Sequence, residues 1–232
     1  MRVDIFADAE EVARRAAEFI AEEARAKASL GQSFVFAVSG GGTPWIMLRD
    51  LAAREVPWPC MHVTQVDERI APAGDPQRNL THLRECFLSR VPLRPDQIHA
   101  MPVESSDPEA AARQYARTLE MLAGAPPALD LVHLGLGPDG HTASLVPGDP
   151  ALHVADRDVA LTNVYKGTRR MTLTYPVLNR ARRVLWVVTG EEKAPMLARL
   201  RAGDTSIPAG RVRGEDAWIM ADRAAAGETT GD

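Results

Sequence analysis

Phe34-Val35-Phe36-Ala37-Val38-Ser39-Gly40-Gly41-Gly42-Thr43-Pro44 is the stretch on which the fold turns. Five consecutive apolar residues leave no polar face, so a strand made of them must be covered on both sides. The run stops at a serine and three glycines. Pro44 then fits the first turn of a helix, where its missing N–H costs nothing. Ile46, Leu48 and Leu51 carry that helix onward. A buried strand feeding straight into a helix is the unit from which a parallel sheet with helices on both faces is built.

The same rhythm extends in both directions. Upstream, residues 8–28 read as a helix: Asp8 is a candidate N-cap, and Val12, Ala16, Phe19, Ile20 and Ala24 recur at helical spacing. Downstream, a strand is predicted over 62–66, ending in Asp67-Glu68-Arg69. A Pro-, Gly- and Asp-rich loop follows over 70–78, then helices over 79–90 and 107–123. Leu129 to Leu136 forms the next apolar run and leads into Gly137-Pro138-Asp139-Gly140-His141. Strands are predicted at 159–162, 171–174, 184–189 and 217–221, with a helix at 191–201. The pattern predicts a three-layer α/β/α arrangement around a mostly parallel sheet, in one domain over 1–223. The small, polar segment 224–232 is expected to fray.

Composition narrows the function. With 27 basic and 31 acidic residues the 232-residue chain carries a net charge of −4, which disfavours general nucleic-acid binding. A hydrophobic share of 45% is enough for a core and excludes disorder as the dominant state. Cys60 and Cys86 are the only cysteines, so no disulfide framework is expected. Acidic residues interrupt the N-terminus early, and no apolar run is long enough to span a membrane. The expectation is a cytoplasmic protein without membrane attachment.

In parallel α/β sheets, ligands bind beyond the carboxyl ends of the strands. Three such ends carry polar residues here: Ser39 to Thr43, Asp67 to Arg69, and Asp139 to His141. Their convergence on one sheet edge is the main inference from the sequence. Ser39, Gly40, Gly41, Gly42 and Thr43 lead into a helix N-terminus, whose free N–H groups suit a phosphate. A tight turn without ligand is the alternative. A dinucleotide fingerprint would need glycine at Trp45, and no Gly-Lys-Ser/Thr follows, so nucleotide loops are excluded. A hydrolase elbow at Ser39 would need a late histidine, and the last one is His153.

His141 is a candidate general base, with Asp139 as the carboxylate able to fix its tautomer; a polar turn facing solvent is the alternative. His62 and His133 lie in apolar strands and read as structural; His82, His99 and His153 read as surface or packing residues. No ligand spacing for a metal is present, so neither metal nor cofactor is expected. Lys166, Arg169 and Arg170 form a cationic cluster that could close over an anion, together with Arg69. A solvated basic loop is the bland reading of the same residues.

Taken together, Ser39 to Pro44, Asp67-Glu68-Arg69, Gly135 to Leu145 followed by Pro147-Gly148, and Arg170-Met171-Thr172-Leu173-Thr174 resemble the 6-phosphogluconolactonase family over nearly the whole chain. The resemblance implies a Rossmann-like fold shared with glucosamine-6-phosphate deaminase and ribose-5-phosphate isomerase. It implies hydrolysis of a phosphorylated sugar lactone with His141 as base and Asp139 beside it. The substrate and its phosphate would lie against Ser39, Gly40, Gly41, Gly42, Thr43, Asp67, Arg69, Lys166 and Arg170. The chain departs from the usual family pattern at Gln77-Arg78, at Val146, and at Gly167-Thr168, where the spacing from Lys166 to Arg170 is one residue short. An amino-sugar-phosphate deaminase and a non-enzymatic sugar-phosphate sensor are the rival readings. The first would need another acid after His141, where Ala143-Ser144-Leu145 stands; the second would need an added DNA-binding segment. A monomer or weak homodimer is expected.

Overall fold

Phe34, Phe36 and Val38 point to one face of their strand and Val35 and Ala37 to the other, and all five are buried. This two-sided burial places the strand in the middle of a sheet, as the sequence predicts. The structure is a computed structural model and describes residues 1–213 and 216–228. In chain order the elements are β1 (Arg2–Phe6), α1 (Ala9–Ser29), β2 (Phe34–Val38), α2 (Gly42–Ala52), β3 (Met61–Gln65), β4 (Asp67–Arg69), α3 (Asn79–Cys86), β5 (Ile98–His99) and α4 (Pro108–Ala123). They continue with β6 (Leu131–Leu134), β7 (Val159–Leu161), β8 (Arg170–Leu173), α5 (Tyr175–Arg180), β9 (Val184–Val188), α6 (Ala194–Arg201), β10 (Ala217–Asp222) and α7 (Arg223–Ala226).

Seven strands form one parallel sheet in the order β1-β10-β9-β6-β2-β3-β5. Helices α1, α2 and α3 cover one face, packing Ile20, Met47, Leu48 and Leu83 on Phe34, Phe36 and Leu185. The other face is covered by α4 to α7 through Tyr115, Leu119, Val177, Leu197 and Ala225. The three-layer expectation therefore holds. The chain runs outward from β2 through β3 to β5, then returns to the opposite side of β2 as β6. The loops after β2 and β6 consequently diverge at adjacent strands, and the crevice this leaves is where ligands bind in such sheets.

Several boundaries differ from the expectation. The strands predicted at 159–162 and 171–174 form, but outside the parallel sheet: β4, β8 and β7 make a separate antiparallel sheet. Its apolar residues Val159, Met171 and Leu173 join the core on the α4 side. The run 129–136 is a strand only over Leu131–Leu134. The helix predicted over 79–90 ends at Cys86 and gives way to a single tighter turn over Leu88–Arg90. The helix predicted over 191–201 likewise starts as a tight turn, Glu191–Lys193. Of the expected tail, Ala224 to Ala226 lie in α7, because Asp222 caps that helix through Ala225 N at 2.7 Å and Ala225 is buried. Residues 229–232 lie outside the described residues. No helix among the described residues is long and apolar enough to cross a membrane.

Candidate active site

The three predicted strand ends meet. Ser39 to Thr43, Asp67 and Arg69, and His141 all line one cavity of about 420 Å³, with Lys166 and Arg170 on its wall. Each comes from a different element, and the β2/β6 crevice brings them together.

The glycine loop is shaped by close approach. A Cβ on Gly40 would overlap Asn79 Oδ1, and Asn79 in turn donates to the Asp67 carbonyl at 3.0 Å and to its carboxylate at 3.2 Å. Helix α2 has Gly41 as its N-cap, with no side chain to satisfy the leading N–H groups, so they remain available to an anion at the cavity wall. The loop starts at a fixed point, since Ser39 N donates to His133 Nδ1 at 3.2 Å. Thr43 Oγ1 lies 2.5 Å from Thr189 Oγ1, which joins the loop to the end of β9.

Asp67 and Glu68 split the acid pair by direction. Asp67 accepts from Ser144 Oγ at 2.5 Å, and Arg170 Nη1 donates to the same hydroxyl at 3.4 Å. Glu68 turns away and is fully buried, accepting from Asn79 N at 2.7 Å and Leu80 N at 2.8 Å at the start of α3. Arg69 donates to the Gln77 carbonyl at 3.0 Å and to Asn79 Oδ1, which ties the 70–78 loop to the cavity rim. Arg170 is 7% exposed, and burial together with the neighbouring Arg69 charge lowers its pKa from the ordinary value. Its Nε has no partner among the described residues, leaving a donor unused at the site.

Asp139 and His141 pair across the tip of the β6 loop. His141 Nδ1 lies 2.5 Å from Asp139 Oδ1, and His141 N donates to the same oxygen at 3.2 Å. Burial works to raise the Asp139 pKa, but the hydrogen bonds and charge of His141, with the Tyr165 hydroxyl, outweigh it and hold the carboxyl below its ordinary value. His141 reaches the cavity wall, whereas Asp139 stands behind it. Arg169 is not part of the site: its Nε donates to the Thr162 carbonyl at 3.2 Å, so the expected cluster of three cations is reduced to Lys166 and Arg170. Among the described residues no group of three His, Cys, Asp or Glu side chains could hold a metal ion.

A family model described as glucosamine-6-phosphate isomerases/6-phosphogluconolactonase matches residues 7–220. The chain belongs to this family. Within the glucosamine-6-phosphate isomerase/6-phosphogluconolactonase family, a 6-phosphogluconolactonase of Nostoc sp. is 38% identical over 204 residues, 84% of each chain. The crystal structure of a 6-phosphogluconolactonase from Thermotoga maritima superposes with a TM-score of 0.80 at 28% identity, over 95% of this chain and 98% of that one. A monomeric glucosamine-6-phosphate deaminase superposes with a TM-score of 0.87 at 20% identity, over 99% of this chain and 100% of its own. Both activities thus occur on this family fold, and the fold alone does not separate them.

Some residues of this family member's site escaped the sequence reading. Ser144 sits inside the quoted Gly135 to Leu145 segment, but its partner Asp67 is 77 positions away. Thr189, Glu192 and Lys193 line the cavity from the end of β9. An apolar strand followed by Gly190 was their signal, the same signature that marks the other loops. Tyr165, whose hydroxyl donates to Asp139 Oδ2 at 3.0 Å, had no signal beyond its place next to Lys166.

Proposed function

We propose that this protein hydrolyses 6-phospho-D-glucono-1,5-lactone to 6-phospho-D-gluconate, a step of the oxidative pentose phosphate route. The single observation that carries the reading is His141 on the cavity wall with Asp139 at 2.5 Å behind it. The names of the relatives support the same reaction.

With Nδ1 engaged by Asp139, Nε2 is the ring nitrogen left for chemistry. Nε2 takes a proton from water as the water oxygen attacks the lactone carbonyl carbon. The carbonyl electrons move to oxygen, and the tetrahedral oxyanion is met by backbone N–H groups or a cation of the site. On collapse the bond from this carbon to the ring oxygen breaks, and the ring oxygen takes the proton from Nε2. The Asp139 carboxylate stabilises the transient imidazolium and fixes its orientation. General acid–base transfer supplies on the order of 10²–10⁴-fold, and positioning adds to it. The phosphate lies on the N–H groups at Gly41, Gly42 and Thr43, with Arg170, Arg69 and Lys166 as the cations beside it. Ser39 and Gly40 shape the loop, and Asp67 holds Ser144 and Asn79 in place.

The test uses 6-phosphogluconolactone made in situ, unphosphorylated gluconolactone, and glucosamine 6-phosphate in separate assays. Enzyme-dependent opening of the phosphorylated lactone is expected, with most of it lost in His141→Ala while the melting temperature stays the same. Full turnover in that variant removes the base assignment. Ammonia release from glucosamine 6-phosphate would instead establish a deaminase, and sugar-phosphate binding without turnover a sensor.

A further inference from the structure

Tyr165 has no role in the steps above, yet it touches both members of the Asp139–His141 pair and two cations of the cavity wall. Its hydroxyl donates to Asp139 Oδ2 at 3.0 Å, the oxygen that His141 leaves free when it takes Oδ1. Its ring stands edge-on to the His141 imidazole, with centroids 5.7 Å apart and planes at 66°. The Arg170 guanidinium lies 5.0 Å from the ring centroid and the Lys166 ammonium 5.3 Å, both within reach of a cation–π attraction.

The local backbone explains how one side chain does this. Tyr165 and Thr168 pair across a two-residue turn, Tyr165 N donating to the Thr168 carbonyl at 2.9 Å. Lys166 and Gly167 form the turn with φ of 48° and 86°. Positive φ at both central residues is what a tight hairpin needs to match the strand twist, and Gly167 adopts it freely. The shortened spacing between Lys166 and Arg170 is therefore a tight hairpin tip beyond β7 and β8, and it brings Tyr165 to Asp139.

We propose that Tyr165 is a positioning residue for lactone hydrolysis: its hydroxyl locks the Asp139 carboxylate, and through it the His141 imidazole, while its ring face seats Arg170 and Lys166 beside the substrate anion. This rests on the lactonase reading. A carboxylate held at Oδ1 alone can swing about its last torsion; a donor on Oδ2 removes that freedom. The donor persists at neutral pH, because burial and the Asp139 charge push the Tyr165 pKa up from its ordinary value. The hairpin tip is exposed around it, with Val164 67% accessible, so loss of the hydroxyl leaves the core untouched.

Two variants separate the two duties. Tyr165→Phe keeps the ring, and kcat is expected to fall about tenfold, the size of a lost hydrogen bond to a charged group, with KM and melting temperature unchanged. Tyr165→Leu also removes the ring face, so the same fall in kcat is joined by a several-fold rise in KM. In an Asp139→Ala background, Tyr165→Phe is expected to add nothing. Unchanged kcat in Tyr165→Phe, or a full additional loss in the Asp139→Ala background, overturns the proposal. Nitrogen NMR of the His141 ring gives a readout that needs no turnover: the Nδ1 signal is expected to shift in Tyr165→Phe, and an unmoved signal also overturns it. A wild-type protein without lactonase activity would sink the functional reading alone, because the NMR comparison still decides whether Tyr165 orients the pair.

Discussion

Asp67 and Glu68 are adjacent acids, and strand alternation sends them to opposite sides of β4. Asp67 lines the cavity, while Glu68 is a capping residue in all but sequence position. Its carboxylate accepts from Arg69 N at 2.8 Å, Asn79 N at 2.7 Å, Leu80 N at 2.8 Å and Gln65 Nε2 at 3.0 Å. Helix α3 has no side-chain cap of its own at Arg78, so these leading N–H groups have no nearer acceptor. Glu68→Ala strands several buried donors at once, and each orphan costs on the order of 1–3 kcal/mol. The expected loss is at least about 3 kcal/mol in urea unfolding, larger than for a surface acid. A variant within 1 kcal/mol of wild type, roughly the net worth of one ordinary hydrogen bond, would show that water replaces the carboxylate. The family resemblance places Asp67 and Arg69 at the substrate and assigns Glu68 no role, and the residues alone do not make that choice. Nothing in Asp67-Glu68-Arg69 itself says which acid faces the ligand, since the answer depends on where α3 docks.

At the scale of elements, the loop after β6 sets the catalytic pair. Gly137 N donates to the His141 carbonyl at 2.8 Å and Gly140 N to the Gly137 carbonyl at 3.0 Å, which closes a tight ring around Asp139. A Cβ on Gly137 would overlap His141 Nδ1 and fall 2.7 Å from Asp139 Oδ1. Gly137→Ala must therefore push the imidazole off its carboxylate. Activity is expected to fall at least 10²-fold, the lower bound for losing general-base help, with the fold retained. Circular dichroism and kcat measured together check this, and near-normal kcat would show that the pair tolerates displacement. The glycine signature of this loop was legible because apolar runs and glycines are local features. The same logic found β2, β9 and α1, whose periodicity is strong. It missed β1, where Arg2 and Asp4 alternate with Val3 and Ile5 on a strand that, among the described residues, pairs with β10 alone at the sheet edge. It also missed the six-residue α5, too short to show a period. The placement of β7 and β8 in a second sheet was equally hidden, since apolar residues fill either sheet.

Across the whole molecule, the sheet buries a histidine that must stay neutral. His133 lies in β6 between β2 and β9 with no accessible surface, and burial pushes its pKa down to about 3. Its Nδ1 accepts from Ser39 N, and its Nε2 has no partner among the described residues, so a second ring proton would oppose the donor at the head of the glycine loop. In the unfolded chain the same ring titrates near ~6.5. Between these values the unfolded state binds a proton that the folded state refuses. Stability is therefore full above the unfolded value and falls as pH drops below it, at up to ~1.4 kcal/mol per pH unit. From pH 7 to pH 5 the expected contribution is a loss of about 2 kcal/mol from this residue. His62 and His99, whose rings pack at 3.1 Å between Nδ1 and Nε2, have pKa values lowered chiefly by burial and act in the same direction. His133→Gln keeps an acceptor for Ser39 N but cannot take up a proton. Urea unfolding at pH 7 and pH 5 is expected to show a drop smaller by about 2 kcal/mol in the variant than in wild type. An equal drop in both would mean that His133 is protonated within the folded sheet, and that Ser39 N at the head of the glycine loop finds an acceptor other than the neutral ring.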